Sequence, residues 1–269
     1  MKIGIIGCTG RMGRVLLNEI FVSKQVNLSG GTVKNNDPYL GKDISDILHI
    51  EDINIKISND NLQLIKNSDA VIDFTNVETS LQIAKLTAQF SKIHVCGTTG
   101  FDNDQMHKLT EFAKDCRIVW SSNMSIGINL LNNLVEQVAA TLDDNYEIEI
   151  VEMHHNKKID APSGTALTLG KYAAKGRNIN FDDNKCMARD GIIGQRPANQ
   201  IGFSTIRGGD VIGDHTVIFS GPGERIELTH KASNRTIYAR GAIKACLWAM
   251  LQNNGLYNMS DVLLKESSE

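Results

Sequence analysis

The sequence predicts an α/β protein, with a Rossmann-like doubly wound parallel sheet and a second α+β domain that carries a mixed or antiparallel sheet. The chain opens with an Ile-rich apolar run, a glycine turn and an amphipathic segment, the pattern of a buried parallel strand leading into a helix. Apolar runs and helical segments then alternate to about residue 125, which is typical of a parallel sheet. From Ile201 onward, strand-like segments separated by glycine-rich turns replace that alternation.

Length and composition limit the class of protein. The 269 residues are 41% hydrophobic, enough for one large domain or two modest ones. The 28 basic and 31 acidic residues give a net charge of −3, so neither nucleic acid nor an anionic membrane is expected as a partner. No apolar run is long enough to span a bilayer, and the N-terminal run is broken at Gly7, unlike a signal peptide. Five scattered cysteines without a Cys-x-x-Cys motif predict reduced thiols and a cytoplasmic protein.

The first motif is the glycine turn that follows the first predicted strand, Met1 to Gly7. Glycines at 7, 10 and 13 let the backbone turn sharply and approach a pyrophosphate, and the helix start supplies amides to its oxygens. Thr9 stands where the common dinucleotide fingerprint has its second glycine. The alternative is a tight turn that binds no ligand.

The end of the second predicted strand, Val26 to Val33, bears on the choice of cofactor. NAD-binding folds carry an acidic residue near this point to hold the ribose hydroxyls. Here the strand is followed by Lys34, and the nearest acid is Asp37. A cation suits a 2′-phosphate, which favours NADPH over NADH, with NADH as the alternative cofactor. The other interpretation makes Lys34 a solvated loop residue.

The rest of the first half continues the alternation of strands and helices. The predicted elements are a strand at 68–75, a helix at 77–90, a strand at 92–100, a helix at 106–116 and a strand with its exit loop at 117–123. Residues 43–60 give no assignment. The carboxyl ends of these strands are expected to line one crevice, where ligands of such sheets bind. His94 lies inside its strand and is predicted to be a core histidine.

The second half begins with a long helix pattern at 127–142. A strand at 147–151, a loop, a helix to about Lys175 and a polar stretch to Gln200 follow, and then strands at 203–207, 216–219 and 225–230. A last helix, 237–251, could pack back on the first domain. We therefore predict a discontinuous dinucleotide-binding domain of residues 1–125 and 236–269. Residues 126–235 would form the substrate-binding and oligomerisation domain.

The loop from Glu152 to Thr165 contains the densest chemistry in the chain. It holds His154, His155 and Lys158, and its Pro162 and Ser163 stand just before a helical pattern that Ser163 or Thr165 could cap. Histidine and lysine beside a helix N-terminus predict a site for a carboxylate-bearing substrate and a proton donor. The alternative is a solvated loop. A zinc site is disfavoured because no third ligand has a recognisable spacing, and no metal is predicted.

These motifs together resemble the dihydrodipicolinate reductases of lysine and diaminopimelate biosynthesis, over essentially the whole chain. The motifs are Gly7-Cys-Thr-Gly-Arg-Met-Gly13, Gly97-Thr-Thr-Gly100, Asn123 with Ser125 and Gly127, Glu152-Met-His-His155, Lys158-Ile-Asp-Ala-Pro-Ser-Gly-Thr165 and His230-Lys-Ala-Ser-Asn-Arg235. The combination His-His-x-x-Lys-x-Asp-Ala-Pro-Ser-Gly-Thr is the most specific of them.

The resemblance implies reduction of 4-hydroxy-tetrahydrodipicolinate (dihydrodipicolinate), a small cyclic dicarboxylate, to tetrahydrodipicolinate by NAD(P)H. It implies that His154 is the general acid/base and Lys158 the proton donor. Implied substrate contacts are His155, Ser163, Gly164 and Thr165. Implied nucleotide contacts, in addition to Lys34, are Gly7, Cys8, Thr9, Gly10, Arg11, Met12, Gly97, Thr98, Thr99, Ser121, Ser122, Asn123 and Met124. Family members are usually homotetramers that assemble through the sheet of the second domain.

Two departures from the family pattern are visible. Many members carry an acidic residue where Val33 stands, often followed by a basic one, as Lys34 is here. This difference argues against strong use of NADH. Met124 replaces a residue that is often aromatic, which would alter packing near the cofactor.

Two other functions remain open at the level of sequence. One is a different NAD(P)-dependent amino-acid or imino-acid dehydrogenase with the same two-domain plan, and the His-His-x-x-Lys loop argues against it. The other is a nucleotide sensor without catalysis, against which the intact His154, Lys158 and Ser163-Gly164-Thr165 argue. Fold alone would not separate these functions.

Overall fold

The structure, a computed structural model, describes residues 1–263. Its strands are β1 Lys2–Ile6, β2 Asn27–Thr32, β3 Ala70–Asp73, β4 Ile93–Cys96, β5 Arg117–Trp120, β6 Glu147–His154, β7 Lys185–Cys186, β8 Ile201–Arg207, β9 Gly213–Gly221, β10 Glu224–Ala232 and β11 Gly255–Tyr257. Its helices are α1 Arg11–Phe21, α2 Ser45–Leu48, α3 Asn61–Asn67, α4 Val77–Gln89, α5 Asn103–Phe112, α6 Ile126–Thr141, α7 Gly164–Gly176, α8 Phe181–Asn184, α9 Thr236–Ala249 and α10 Met259–Leu263.

The chain divides into two compact units. Unit 1 consists of Met1–Ile126 and the residues from Arg235 onward, and unit 2 of Gly127–Asn234. Residues 264–269, which the sequence assigned to the first domain, lie outside the described part of the chain. Within residues 1–263, none of the helices is long and apolar enough to cross a membrane.

Unit 1 is built on six parallel strands in the order β11-β5-β4-β3-β1-β2. Ile3 and Ile5 face the hydrophobic cluster that includes α1 and α9, whereas Ile6 and Val71 face a second cluster with α3 and α4. Both faces of the sheet are therefore covered, which confirms the predicted doubly wound fold. The order of the strands reverses between β1 and β3, and the carboxyl ends at such a reversal are where ligands bind.

Several elements differ from the sequence prediction. Helix α5 begins at Asn103 rather than Met106 because the side chain of Asp102 accepts the Gln105 amide while Gln105 reciprocates, forming a capping box. Residues 43–60 contain the short helix α2, and the polar stretch before Gln200 contains α8 and β7. The sequence analysis also missed β11 and α10, which follow α9.

Unit 2 contains a mixed five-stranded sheet in the order β10-β9-β6-β8-β7, as the sequence predicted. Strand β6 runs parallel to β8 and antiparallel to β9. Helices α6 and α7 cover one face with an apolar core that includes Val135, Leu169, Val217 and Phe219. On β6 that face begins with Ile148 and Ile150 and ends with Glu152 and His154. The covered face thus changes from apolar to polar at the carboxyl end of β6.

Candidate active site

The glycine turn of unit 1 has the shape that a phosphate group needs. Gly7 has φ of +72°, a left-handed conformation that favours glycine, and its amide and that of Cys8 both donate to Thr32 O, at 2.9 and 3.0 Å. A Cβ on Gly13 would lie 2.4 Å from Gly7 O, so only glycine allows α1 to approach the turn this closely. The N-cap, Gly10, offers no side-chain acceptor, which leaves the first amides of α1 free to bind an anion.

A cavity of about 460 Å³ lies beside this turn. It is lined by Gly7, by Lys34, by Thr32 at the end of β2 and by residues of the loops after β2 and β3, among them Val33, Asn35, Asn36 and Thr75. The acid nearest to Lys34 is already engaged, because Asp37 Oδ2 accepts the Thr9 hydroxyl at 2.7 Å and Asp37 Oδ1 accepts the Tyr39 amide at 2.9 Å. Lys34 is thus the charged side chain that the described residues present at this cavity.

The loops after β3 and β4 are tied together by a buried hydrogen-bond network. Asp73 Oδ1 accepts the amide and hydroxyl of Thr75, at 2.9 and 2.6 Å, and Asp73 Oδ2 accepts the Ser80 hydroxyl. The Thr98 hydroxyl in turn accepts the Thr75 amide at 3.0 Å and contacts Ser80 at 2.8 Å. These bonds hold Thr98 and its neighbour Gly97 at the same edge of the sheet as the glycine turn. They also explain why Thr98 is buried while Thr99 is exposed.

His94 is fully buried, which confirms its prediction as a core histidine. Its Nε2 lies 3.5 Å from Asp73 Oδ2. Burial alone would lower the pKa of His94, but the neighbouring Asp73 and Cys96 raise it to about 9. Asp73, His94 and Cys96 bring three potential metal-ligating atoms within 4.8 Å of one another, at a place where the sequence analysis expected no metal.

The other residues that were predicted to contact the nucleotide differ in which of their atoms are accessible. The thiol of Cys8 is buried, which raises its pKa to about 12, so that residue offers only its backbone. Met124 is also buried, with its side chain in the core of unit 1, so any contact from it comes from its main chain. Arg11, Ser122 and Thr99 are exposed, and Ser121 donates its hydroxyl to Asn123 O at 2.8 Å.

In unit 2, His154 lies at the end of β6 beside a buried carboxylate. Its Nδ1 is 2.5 Å from Oε2 of Glu152, which stands two residues earlier on the same face of the strand. Glu152 is 1% exposed, and the side chain of His154 is 10% exposed. Since both residues lie on the same strand, the backbone of β6 holds the two side chains next to each other.

Glu152 is held from several directions. Both of its oxygens accept bonds from Arg207, at 2.8 and 2.9 Å, and Oε1 also accepts the Ser163 amide at 3.0 Å. Burial by itself would raise the pKa of Glu152, but hydrogen bonds from His154, Arg207 and the Ser163 amide lower it to about 2. Glu152 is therefore a buried, ionised carboxylate at neutral pH.

A second buried histidine, His215 of β9, packs against the ring of His154. The two ring centroids are 5.1 Å apart with the planes at 76°. His215 Nε2 is 3.0 Å from the Ser163 hydroxyl, which also caps α7 by accepting the Ala166 amide at 3.2 Å. Burial and the neighbouring His154 lower the pKa of His215 to about 3, so this imidazole is neutral near pH 7.

The loop between β6 and α7 presents the remaining predicted residues. Lys158 Nζ lies 2.8 Å from Asp160 Oδ1, and this pairing lowers the pKa of Asp160. The His155 amide donates to Val211 O at 2.8 Å, and its buried Nδ1 has no hydrogen-bond partner among the described residues. Helix α7 begins at Gly164, which is exposed and has open space beside its Cα. A cation, an unpartnered imidazole and a helix N-terminus thus lie in one loop.

The sequence analysis assigned no role to Glu152, Arg207 or His215. The sequence analysis ended the strand at Val151 and placed Glu152 and His154 in the following loop, whereas β6 continues to His154. On this longer strand their i, i+2 spacing places both side chains on one face, which is the signal that was missed. Arg207 and His215 had no such signal, because they reach this site only through the pairing of β6 with β8 and β9, and Arg207 is 55 residues from Glu152 along the chain. The register of this sheet cannot be predicted from any local sequence pattern.

Proteins that pair a Rossmann-like parallel sheet with a second unit bearing buried titratable side chains include nucleotide-dependent oxidoreductases, and this chain has that organisation. Its sequence can be matched more narrowly. The family model described as dihydrodipicolinate reductase, N-terminus, matches residues 1–124, and the model described as dihydrodipicolinate reductase, C-terminus, matches residues 127–263. The chain belongs to the dihydrodipicolinate reductase family.

Individual relatives agree with the family models. The 4-hydroxy-tetrahydrodipicolinate reductase of Methylocella silvestris is 46% identical over 263 residues, covering 98% of this chain and 97% of the relative. The enzyme of the same name from Rhizobium rhizogenes is 47% identical over 264 residues, with 98% and 96% covered. The chain is therefore an NAD(P)H-dependent oxidoreductase with a reductive role in lysine and diaminopimelate biosynthesis.

Solved structures share the fold. A dipicolinate-bound dihydrodipicolinate reductase from Paenisporosarcina sp. TG-14 has a TM-score of 0.77 and 22% identity, and the match covers 96% of this chain and 97% of that one. An amine dehydrogenase from Mycobacterium smegmatis has a TM-score of 0.63 and 10% identity, with 97% and 95% covered. The second likeness shows that the same architecture also serves a different dehydrogenase.

Proposed function

We propose that this protein reduces 4-hydroxy-tetrahydrodipicolinate to tetrahydrodipicolinate, with unit 1 holding the nucleotide and unit 2 the substrate and the proton-transfer groups. The single observation that carries the proposal is the segment from His154, the last residue of β6, to Gly164, the first residue of α7, which contains two histidines, a lysine and a helix N-terminus. The family membership of the chain and the names of its relatives support the same reaction.

The substrate's carboxylates find suitable groups in that loop. The first amides of α7 and the ammonium of Lys158 are the donors that carboxylates prefer. His155 Nδ1, buried and without a partner among residues 1–263, adds a further polar atom. We infer that His155, Ser163, Gly164 and Thr165 form the substrate site. The Ser163 amide is bonded to Glu152 and its hydroxyl caps α7, so Ser163 contributes mainly by holding the start of α7, with Gly164 and Thr165, in position.

Reduction of an unsaturated ring also needs a proton. The reduced nicotinamide, when bound, supplies hydride, and its addition places negative charge on the ring unless an acid is at hand. His154 and Lys158 are the candidates, as general acid/base and proton donor. An acid in position typically raises the rate by about 100- to 10,000-fold. The side chain of His154 keeps some exposure, at 10%, and that of Lys158 keeps 20%.

The residues of unit 1 fit a dinucleotide. The close approach that Gly13 permits, the free amides at the start of α1 and the cavity of about 460 Å³ each suit a pyrophosphate with an attached ribose. We propose that the backbone from Gly7 to Met12, together with 97–99 and 121–124, holds this group. Lys34 would stand beside the 2′ position, which favours NADPH.

The cofactor preference is tested with Lys34→Ala. Loss of a cation next to a 2′-phosphate is expected to weaken NADPH binding about tenfold or more, and to change NADH binding little, because a charge-assisted hydrogen bond is lost only with NADPH. Calorimetric titration of both nucleotides measures this, with the exposed Lys24→Ala as the matched control. An equal loss of affinity for NADPH and NADH would show that Lys34 does not bind the 2′-phosphate.

The reaction itself is tested by a coupled assay. Pyruvate and aspartate semialdehyde are fed through the preceding synthase, and the loss of reduced nicotinamide absorbance is followed. We expect turnover that depends on the synthase. Protein that binds nucleotide and shows no such turnover would contradict the proposal, and would favour the nucleotide sensor or another imino-acid dehydrogenase.

A further inference from the structure

The buried carboxylate of Glu152 lies against His154, and its geometry bears directly on proton transfer. We propose that Glu152 is the positioning residue of His154: its carboxylate keeps a proton on Nδ1 and leaves Nε2 as the nitrogen that exchanges a proton with the substrate. This inference rests on the proposed role of His154 as acid/base.

The carboxylate of Glu152 can only accept hydrogen bonds. Arg207 donates to both of its oxygens, and the Ser163 amide and Thr205 hydroxyl donate to Oε1, at 3.0 and 3.3 Å. An ionised carboxylate has acceptor sites and no proton to give. The fixed guanidinium fork also prevents the carboxylate from rotating away from His154.

The contact between the two side chains fixes the position of the hydrogen. His154 Nδ1 lies 2.5 Å from Glu152 Oε2, so the two side chains are in direct hydrogen-bond contact, and the ionised carboxylate makes the bond charge-assisted. Because the carboxylate is an acceptor, the hydrogen in this bond belongs to Nδ1. In the neutral imidazole the lone pair is then on Nε2, and in the imidazolium the transferable proton is on Nε2.

The space around Nε2 also bears on this assignment. A Cβ at position 213 would lie 2.9 Å from His154 Nε2 and 3.3 Å from its Cδ2, so the glycine there leaves room beside this nitrogen. Within the described residues, Nε2 has no hydrogen-bond partner, and it is not among the enclosed atoms without one. Nε2 is therefore the accessible nitrogen, and Nδ1 is the anchored one.

The charged and titratable groups around His154 decide how its protonated form is stabilised. Glu152 on β6 contributes a negative charge in direct contact, and Arg207 on β8 neutralises part of it through the same carboxylate. His215 on β9 is neutral near pH 7, and Lys158 and His230 are close enough to lower its pKa. Glu152 is thus the one anion among these groups that touches the ring of His154.

Substitution Glu152→Gln tests the inference because the amide keeps the shape of the side chain and removes the charge. We expect turnover to fall by at least about tenfold and the alkaline limb of the pH profile of kcat/KM to move to lower pH by about one unit, since the imidazolium loses its partner. Nucleotide binding, measured separately, should not change. An unshifted pH profile would overturn the inference.

The matched control is Glu149→Gln. Glu149 lies on the same strand and is also bound by two arginines, Arg189 and Arg196, but it is bonded to no histidine among residues 1–263. Loss of an arginine-bound carboxylate by itself should leave the pH profile in place. A shift of the same size in this variant would show that the effect of Glu152→Gln is structural.

A measurement on the unaltered protein removes any dependence on the folding of the variant. Nitrogen-15 NMR of histidine-labelled protein, with the His154 signal assigned from its loss in His154→Asn, reports which nitrogen is protonated. We expect the Nδ1–H tautomer at high pH, and the Nε2–H tautomer would overturn the inference. This result does not depend on substrate, so it separates failure of the positioning role from failure of the proposed reaction.

Discussion

At the scale of single residues, two neighbouring lysines in the loop after β6 have different environments. Lys158 pairs with Asp160 and keeps only 20% of its side chain exposed, whereas Lys157 is exposed. Lys157 and Lys158 could not be distinguished from the local sequence, so the assignment of Lys158 as proton donor depended on the resemblance to a family. The structure adds a physical difference, because Asp160 holds the ammonium of Lys158 in one place, which suits a donor that must be positioned against a substrate.

Lys158→Ala is predicted to lower turnover by about 100- to 10,000-fold, the usual contribution of a positioned acid, while nucleotide affinity stays nearly intact. Steady-state kinetics in the coupled assay, together with calorimetric titration of NADPH, measures both quantities. Lys157→Ala is the control and should keep its rate. A correctly folded Lys158→Ala protein with near-normal turnover would remove Lys158 from the mechanism.

Single residues also show what sequence reasoning could not supply. Gly7, Lys34 and Ser163 were identifiable because each stands at a fixed place relative to a predicted strand or helix. Arg207 and His215 were not, since they reach Glu152 and His154 through the sheet register alone. The buried state of Cys8 and Met124 was also unpredictable, because it depends on how α9 and Gly31 pack around them.

At the scale of elements, the sheet of unit 2 accommodates buried titratable groups side by side on β6, β8 and β9. Glu152 is kept charged and His215 is kept neutral, so both resist protonation as the pH falls. An unfolded chain would take up a proton on His215 near its ordinary value of 6.5, while the folded protein does so only near 3. The unfolded state therefore binds more protons between these values, and stability falls as the pH is lowered through them.

The predicted outcome is a lower free energy of unfolding for the unaltered protein at pH 5 than at pH 7, with His215 contributing up to about 1.4 kcal/mol per pH unit in that window. His215→Gln should lose part of this dependence. Urea unfolding followed by circular dichroism measures this free energy. Tryptophan fluorescence would not report on unit 2, because both tryptophans, Trp120 and Trp248, lie in unit 1. The exposed His107→Gln is the control. An unchanged pH dependence in His215→Gln would contradict the account of this histidine.

The elements themselves were largely predictable. Runs such as residues 2–6 and 70–73 are apolar and lie beside glycine or polar turns, and these local signals place strands correctly. The short elements α2, α8 and β7 have two to four residues each, too few for any periodicity. Strand β11 has only three residues and pairs with β5 from 138 residues away, so neither its length nor a neighbouring strand indicates it.

At the scale of the whole molecule, the uncovered face of the sheet in unit 2 bears on assembly. Helices α6 and α7 cover one face, while Val151, Met153, Ile206 and Ile218 stand on the other, and Ile206 is 46% exposed. Apolar residues on such a face are typical of a protein interface. We propose a homotetramer formed through this sheet.

Sedimentation equilibrium tests the assembly. We expect about four times the chain mass of 29.6 kDa. Ile206→Asp on the open face should dissociate the assembly, whereas Ile192→Asp, a fully exposed residue of the preceding polar stretch, should not. A monomer in the unaltered protein would rule out the homotetramer.

The central claim is that this chain delivers hydride to the ring of a cyclic dicarboxylate, and an isotope experiment tests it most directly. NADPH dideuterated at C4 is supplied in the coupled reaction, and the mass of the tetrahydrodipicolinate product is measured. The account predicts a product one mass unit heavier than that formed with ordinary NADPH, with the added proton coming from solvent. Oxidation of the nucleotide with no deuterium in the product, or no product at all from protein that binds nucleotide, would contradict it.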